Sequence, residues 1–158
     1  MSQIHPLAKN SAVRQMFAMM FGSGVEVSRG SPVEGDRRMI AVYINDVNEP
    51  VCACISDYNC AAFLGSALSR IPPGGAEDAA QSGDFSEMML SNFRETMNIC
   101  SRLFMDSKSP HLRLDAIYSA SESAPDDILA LLDTCQWRED FNISIPNYGE
   151  GGLSLIAT

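Results

Sequence analysis

Ser91, Glu95, Asn98 and Arg102 follow one another at intervals of 4, 3 and 4 residues in the stretch SNFRETMNICSRLF. At that spacing a hydroxyl, a carboxylate, an amide and a guanidinium line one side of an α-helix, because each residue turns by about 100°. With Ser91 at zero, Glu95 falls at about 40°, Asn98 at about −20° and Arg102 at about 20°. Met89, Phe93, Thr96, Cys100 and Phe104 fall on the opposite side, at about 140° to 220°. Such a row can be the solvated back of a core helix, or it can aim hydrogen-bonding groups at a partner. Amphipathicity alone explains where the row lies. It does not explain Asn98, whose side chain competes for backbone hydrogen bonds and is a poor choice inside a helix. Nor does a local ion pair consume Glu95, since Arg102 stands seven residues away and Ile99 offers no charge.

The groups missing around the row narrow its chemistry. No histidine, lysine-rich loop or glycine-rich phosphate cradle lies near it. The five cysteines (Cys52, Cys54, Cys60, Cys100, Cys135) and two histidines (His5, His111) complete no zinc-ligand spacing, so no metal is expected. An odd cysteine count in a chain of 158 residues also argues against a disulfide framework. Cys52 and Cys54 alternate in a strand-like run and should face the same side. The nine methionines, Met16, Met19, Met20, Met88, Met89 and Met97 among them, read as core filler. Asp126 and Asp127 read as acids at a helix N-terminus.

The net charge of −9 offers no basic surface for nucleic acid or anionic membrane. No apolar run approaches the roughly 18–20 residues that span a bilayer, and the N-terminal stretch lacks a signal-peptide pattern. A soluble, cytoplasmic protein is expected. A length of 158 residues with 46% hydrophobic residues fits one domain, residues 1–158, with a substantial core.

The elements that must position the row follow from periodicity and punctuation. Residues 5–22 predict a helix that Gly22 and Gly24 stop. VEVS predicts a short strand. MIAVYIN and PVCACIS predict a hairpin turned by DVNE. Ser56 or Asp57 caps a helix over 58–70. The stretch 71–84, with Pro72, Pro73, Gly74 and Gly75, predicts an acidic, flexible loop. Asp84 and Glu87 predict a capping-box start for the long helix, which runs to about Met105. HLRLDAIYS predicts a strand, and PDDILALLDTCQ a short helix with Pro125 in its first turn. FNISIP and GLSLIA predict a second hairpin, joined by NYGEGG. The order α-β-β-β-α-α-β-α-β-β lacks strict βαβ alternation. It predicts an α+β domain with a mostly antiparallel sheet and a long motif-bearing helix.

Ser91-x3-Glu95-x2-Asn98 on such a helix resembles the signature of the CheC/CheX-type chemotaxis phosphatases, in which Asp or Ser is followed by Glu four on and Asn three further. The order of elements over most of the chain is similar too. CheC-type members carry a second Glu-x2-Asn on the first helix, where KNSAVRQMF has none, so the likeness is to the single-motif, CheX-like branch. Family members tend to have small residues soon after the Asn, where this chain has Ser101 and Arg102. They also tend to have a proline downstream where it has Ser121. The resemblance implies the following. The protein dephosphorylates a phosphorylated CheY-like response regulator, with the aspartyl phosphate and Mg²⁺ both on the partner and no cofactor bound by this chain. Asn98 orients the attacking water, Glu95 pairs with a lysine of the regulator, and Ser91 and Arg102 contact the partner at the edges. Phosphoryl transfer depends mainly on positioning and electrostatics, so an amide that only orients water can suffice. A homodimer through sheet pairing is also implied, with NISIP or GLSLIA as a candidate edge. Flagellar switch proteins share the fold. The alternative is therefore a non-catalytic module that binds a response regulator or the switch.

Overall fold

A computed structural model describes residues 4–119 and 124–158; Ser121 lies outside them. The order is α1 (Asn10–Phe21), β1 (Glu26–Arg29), β2 (Arg38–Ile44), β3 (Pro50–Asp57), α2 (Tyr58–Ala67), α3 (Pro73–Ser82), α4 (Glu87–Cys100), β4 (Arg113–Tyr118), α5 (Asp126–Thr134), β5 (Trp137–Ile145) and β6 (Gly149–Ala157), with a 3-10 turn at Ser101–Phe104. The strands form one six-stranded sheet in the order β1-β5-β6-β3-β2-β4. Every adjacent pair is antiparallel, so the expected α+β class holds.

The sheet carries a core on each face. Met39, Ala41 and Tyr43 of β2 join Cys52 and Cys54 of β3 and Leu153 and Leu155 of β6 under α1, α2, α3 and α4. Ile40, Val42, Ala53, Ile55 and Ile156 pack under Ile128, Leu131 and Leu132 of α5. Covering both faces explains why β2 reads as a continuous apolar run. In β5, by contrast, buried Phe141, Ile143 and Ile145 alternate with the half-buried Asn142 and Ser144. Cys52 and Cys54 do face the same core.

Several expectations change. The stretch 71–84 is not a loop. Pro73 occupies the first turn of α3, where a proline's missing N–H is no loss, and Ala76, Ala79 and Ala80 form its buried face. The capping box at Asp84 does not form. Ser86 is the N-cap of α4, its Oγ accepting from the Met89 amide at 3.2 Å. The helix itself ends at Cys100 and tightens into the 3-10 turn, where Ser101 Oγ donates to the Asn98 carbonyl at 2.9 Å. Asn98 is therefore in the last turn of α4 rather than mid-helix.

Elsewhere α1 starts at Asn10, because the preceding segment lies extended along the turn after α4, with the Ala8 amide bonded to the Leu103 carbonyl at 2.9 Å. Pro125 is the N-cap of α5, with Asp126 and Asp127 in the first turn. In the second hairpin, Gly149, Gly151 and Gly152 belong to β6 rather than to the turn. A Cβ on Gly151 would stand 2.2 Å from the Cys60 amide nitrogen at the start of α2. NISIP and GLSLIA are interior, since β5 lies between β1 and β6, and β6 between β5 and β3. The sheet's edges are β1 and β4. Met19 and Met88 are not core filler; they are 86% and 57% exposed.

Candidate functional site

The site is the outer face of α4, and four contacts fix that helix. Tyr43 on β2 sends its hydroxyl through the core to the Met97 carbonyl at 2.5 Å. Asn92 reaches sideways to α2, donating to the Gly65 carbonyl at 2.9 Å and to Ser69 Oγ at 2.8 Å. Gly65 lets the two helices close, since a Cβ there would stand 2.6 Å from the Met89 carbonyl oxygen. Ser86 caps the start. Beneath them, Met89, Phe93, Thr96, Cys100 and Phe104 are all buried, as their spacing predicted. Each of the large apolar ones contributes about 1.5–3 kcal/mol by leaving water.

On the opposite face Ser91, Glu95, Asn98 and Arg102 are all exposed. Their side chains make no hydrogen bond or ion pair with any described residue. The structure thus brings all four together on one open surface and leaves an amide, a carboxylate, a hydroxyl and a guanidinium free for an external partner. No three metal-ligating side chains come together among the described residues. Behind the row the helix is uncharged. A hydrogen bond with Cys54 and burial raise the Cys100 thiol well above its ordinary range, and burial does the same to the Tyr43 hydroxyl.

Sequence reasoning missed the flank of this face. An open cleft of about 740 Å³ runs beside α4 and is lined by Leu90, Phe93 and Arg94 of the helix, by Met39 and Arg37, and by Ile117 of β4. Leu90 is 42% exposed. The i, i+4 series Leu90, Arg94, Asn98 was the available signal, because it traces one ridge of the helix into the cleft.

No protein-family model matches the chain, and comparison with curated proteins returns no match. Solved structures do. A chain of the FliG–FliM complex from H. pylori superposes with a TM-score of 0.60 at 14% identity, over 94% of this chain and 85% of that one. The FliM middle domain from H. pylori gives 0.56 at 12% identity, over 94% and 84%. The protein shares the fold of the FliM middle domain. That is the architecture the resemblance to the CheC/CheX type implied, since flagellar switch proteins share it. A chain of the CheX–CheY–BeF3–Mg²⁺ complex from Borrelia burgdorferi is matched at 0.47 with 13% identity, over 93% and 92%. No helix among the described residues is long and apolar enough to cross a membrane.

Proposed function

We propose that this protein is a phosphatase of a CheY-type response regulator and hydrolyses the partner's aspartyl phosphate by inserting Glu95 and Asn98. The observation that carries the reading is the free, exposed state of both side chains on one face of a firmly anchored helix. The Asn98 amide holds a water in line with the phosphorus. The water's oxygen forms the new P–O bond as the bond to the aspartyl oxygen breaks, and inorganic phosphate leaves. Mg²⁺ belongs to the regulator and neutralises phosphoryl charge there. Glu95 pairs with a lysine of the regulator and sets the register, while Ser91 and Arg102 touch the partner one turn to either side. The reading requires no general base from this chain, since the reaction is governed by positioning.

Phosphate release from a phosphorylated CheY-type receiver tests this. The parent protein accelerates release, and Asn98→Ala lowers the acceleration by about a hundredfold. An acceleration that survives Asn98→Ala sinks the mechanism.

A second reading is a non-catalytic module that binds a response regulator or the flagellar switch. The likeness to the FliM middle domain supports it, because that superposition, at a TM-score of 0.56, carries the fold and no phosphatase activity with it. Capture of a receiver with no change in its rate of autodephosphorylation would support this reading over the first.

A further inference from the structure

The cleft beside α4 holds two arginines with different commitments. Arg37 is occupied. Its guanidinium donates to the Ala80 carbonyl at 3.1 Å and the Gln81 carbonyl at 2.6 Å, and lies 4.8 Å from the centre of the Tyr58 ring. Arg94 is exposed and makes no hydrogen bond or ion pair with any described residue. What sets Arg94 apart from the chain's other unpaired cations is its place: it lines the cleft and stands a single turn from Asn98. One turn further back Leu90, 42% exposed, lines the same cleft above the buried Phe93 and Met39. The ridge therefore offers an amide, then a cation, then an apolar side chain beside an apolar floor. Among the described residues the cleft's acids, Asp36 and Asp84, come from other segments, and Arg94 of α4 is the cleft's free cation.

We infer that Arg94 determines partner specificity: it pairs with an acidic side chain of the response regulator while Leu90 and the cleft floor take an adjoining apolar side chain. The inference rests on the regulator reading above and names the chemistry of the segment that reading requires. The segment carries an acid and an apolar residue next to each other, close to the phosphorylation site that Asn98 enters. Because the contact is made equally in the ground and transition states, Arg94 governs binding and leaves the chemical step to Asn98.

The test compares the parent with Arg94→Ala, Arg94→Lys and Arg94→Glu. Affinity is measured for a CheY-type receiver loaded with beryllium fluoride, and kcat and KM for the phosphorylated receiver. Arg94→Ala raises Kd and KM by about tenfold with kcat within about twofold, as an interface arginine does. Arg94→Lys recovers part of the loss, Arg94→Glu weakens binding further, and Arg94→Ala flattens the salt dependence of Kd. Unchanged Kd and KM in Arg94→Ala overturn the inference, as does a fall in kcat at constant KM. Asn98→Ala, run beside them, separates the two ideas. If it leaves kcat intact while Arg94→Ala weakens binding, the mechanism fails and the contact stands. If the parent binds no receiver, both fail.

Discussion

Helices α2 and α4 pack against each other through Gly65 and Asn92, yet they use their surfaces in opposite ways. In α2 eight of the ten residues are buried, from Tyr58 through Ser66 with only Asn59 open in that run. In α4 five of fourteen are buried, all but Met97 on the predicted apolar stripe, and one full side faces solvent. Gly65 of α2 lets α4 lie close, and Asn92 of α4 bonds back across the seam to the Gly65 carbonyl and Ser69 Oγ. One helix is a strut and the other a display surface. The buried packing of the first anchors the helix that carries Glu95 and Asn98, which would matter under the proposed function because positional catalysis tolerates little displacement.

The contrast can be broken most severely at Gly65. A methyl group there meets the Met89 carbonyl oxygen at 2.6 Å, and backbone cannot step aside cheaply. Gly65→Ala should lower unfolding free energy by about 3 kcal/mol in a denaturant titration, at the upper end for overpacking. Next is Tyr43→Phe, which removes the hydroxyl that satisfies the Met97 carbonyl in a fully buried setting. A loss of about 1–2 kcal/mol is expected, with the helix still formed by circular dichroism. Ser86→Ala removes the N-cap of α4 and should cost about 1 kcal/mol. If Asp84→Ala costs more than Ser86→Ala, the cap has been assigned to the wrong residue.

The sequence revealed one side of this comparison better than the other. The polar row and the apolar stripe of α4 were legible because a single period of 3.6 residues generates both. The two hairpins and the mixed α+β class were legible from β-branched runs and turn residues. Helix α3 was not. Its buried face is only Ala76, Ala79 and Ala80, too weak a stripe to outweigh two prolines and two glycines that normally break helices. Ser86 lost to Asp84 as the cap because both types cap well, and only the local backbone decides. The cleft was invisible because its walls are distant in sequence: Arg37 precedes β2, Ile117 is on β4 and Arg94 is on α4. The close approach of Gly65 to Met89 is nonlocal in the same way, so no window along the chain contains it.

The smallest expected effect is the most telling. Ser91, Glu95, Asn98 and Arg102 are exposed and make no side-chain hydrogen bond or ion pair with described residues, so replacing any of them with alanine should change stability by no more than about 0.5 kcal/mol. For Asn98 the sign is also fixed. Asparagine is a weaker helix former than alanine, and the side chain returns nothing to the fold, so Asn98→Ala should stabilise the protein by a few tenths of a kcal/mol, about half the mid-helix value because the residue sits in the last turn of α4. A denaturation midpoint that rises slightly while phosphate release collapses would mean the amide is kept for a partner at the helix's expense. A midpoint that falls by 1 kcal/mol or more, on the order expected for a lost hydrogen bond, would make Asn98 part of the scaffold and dissolve the distinction between strut and display surface.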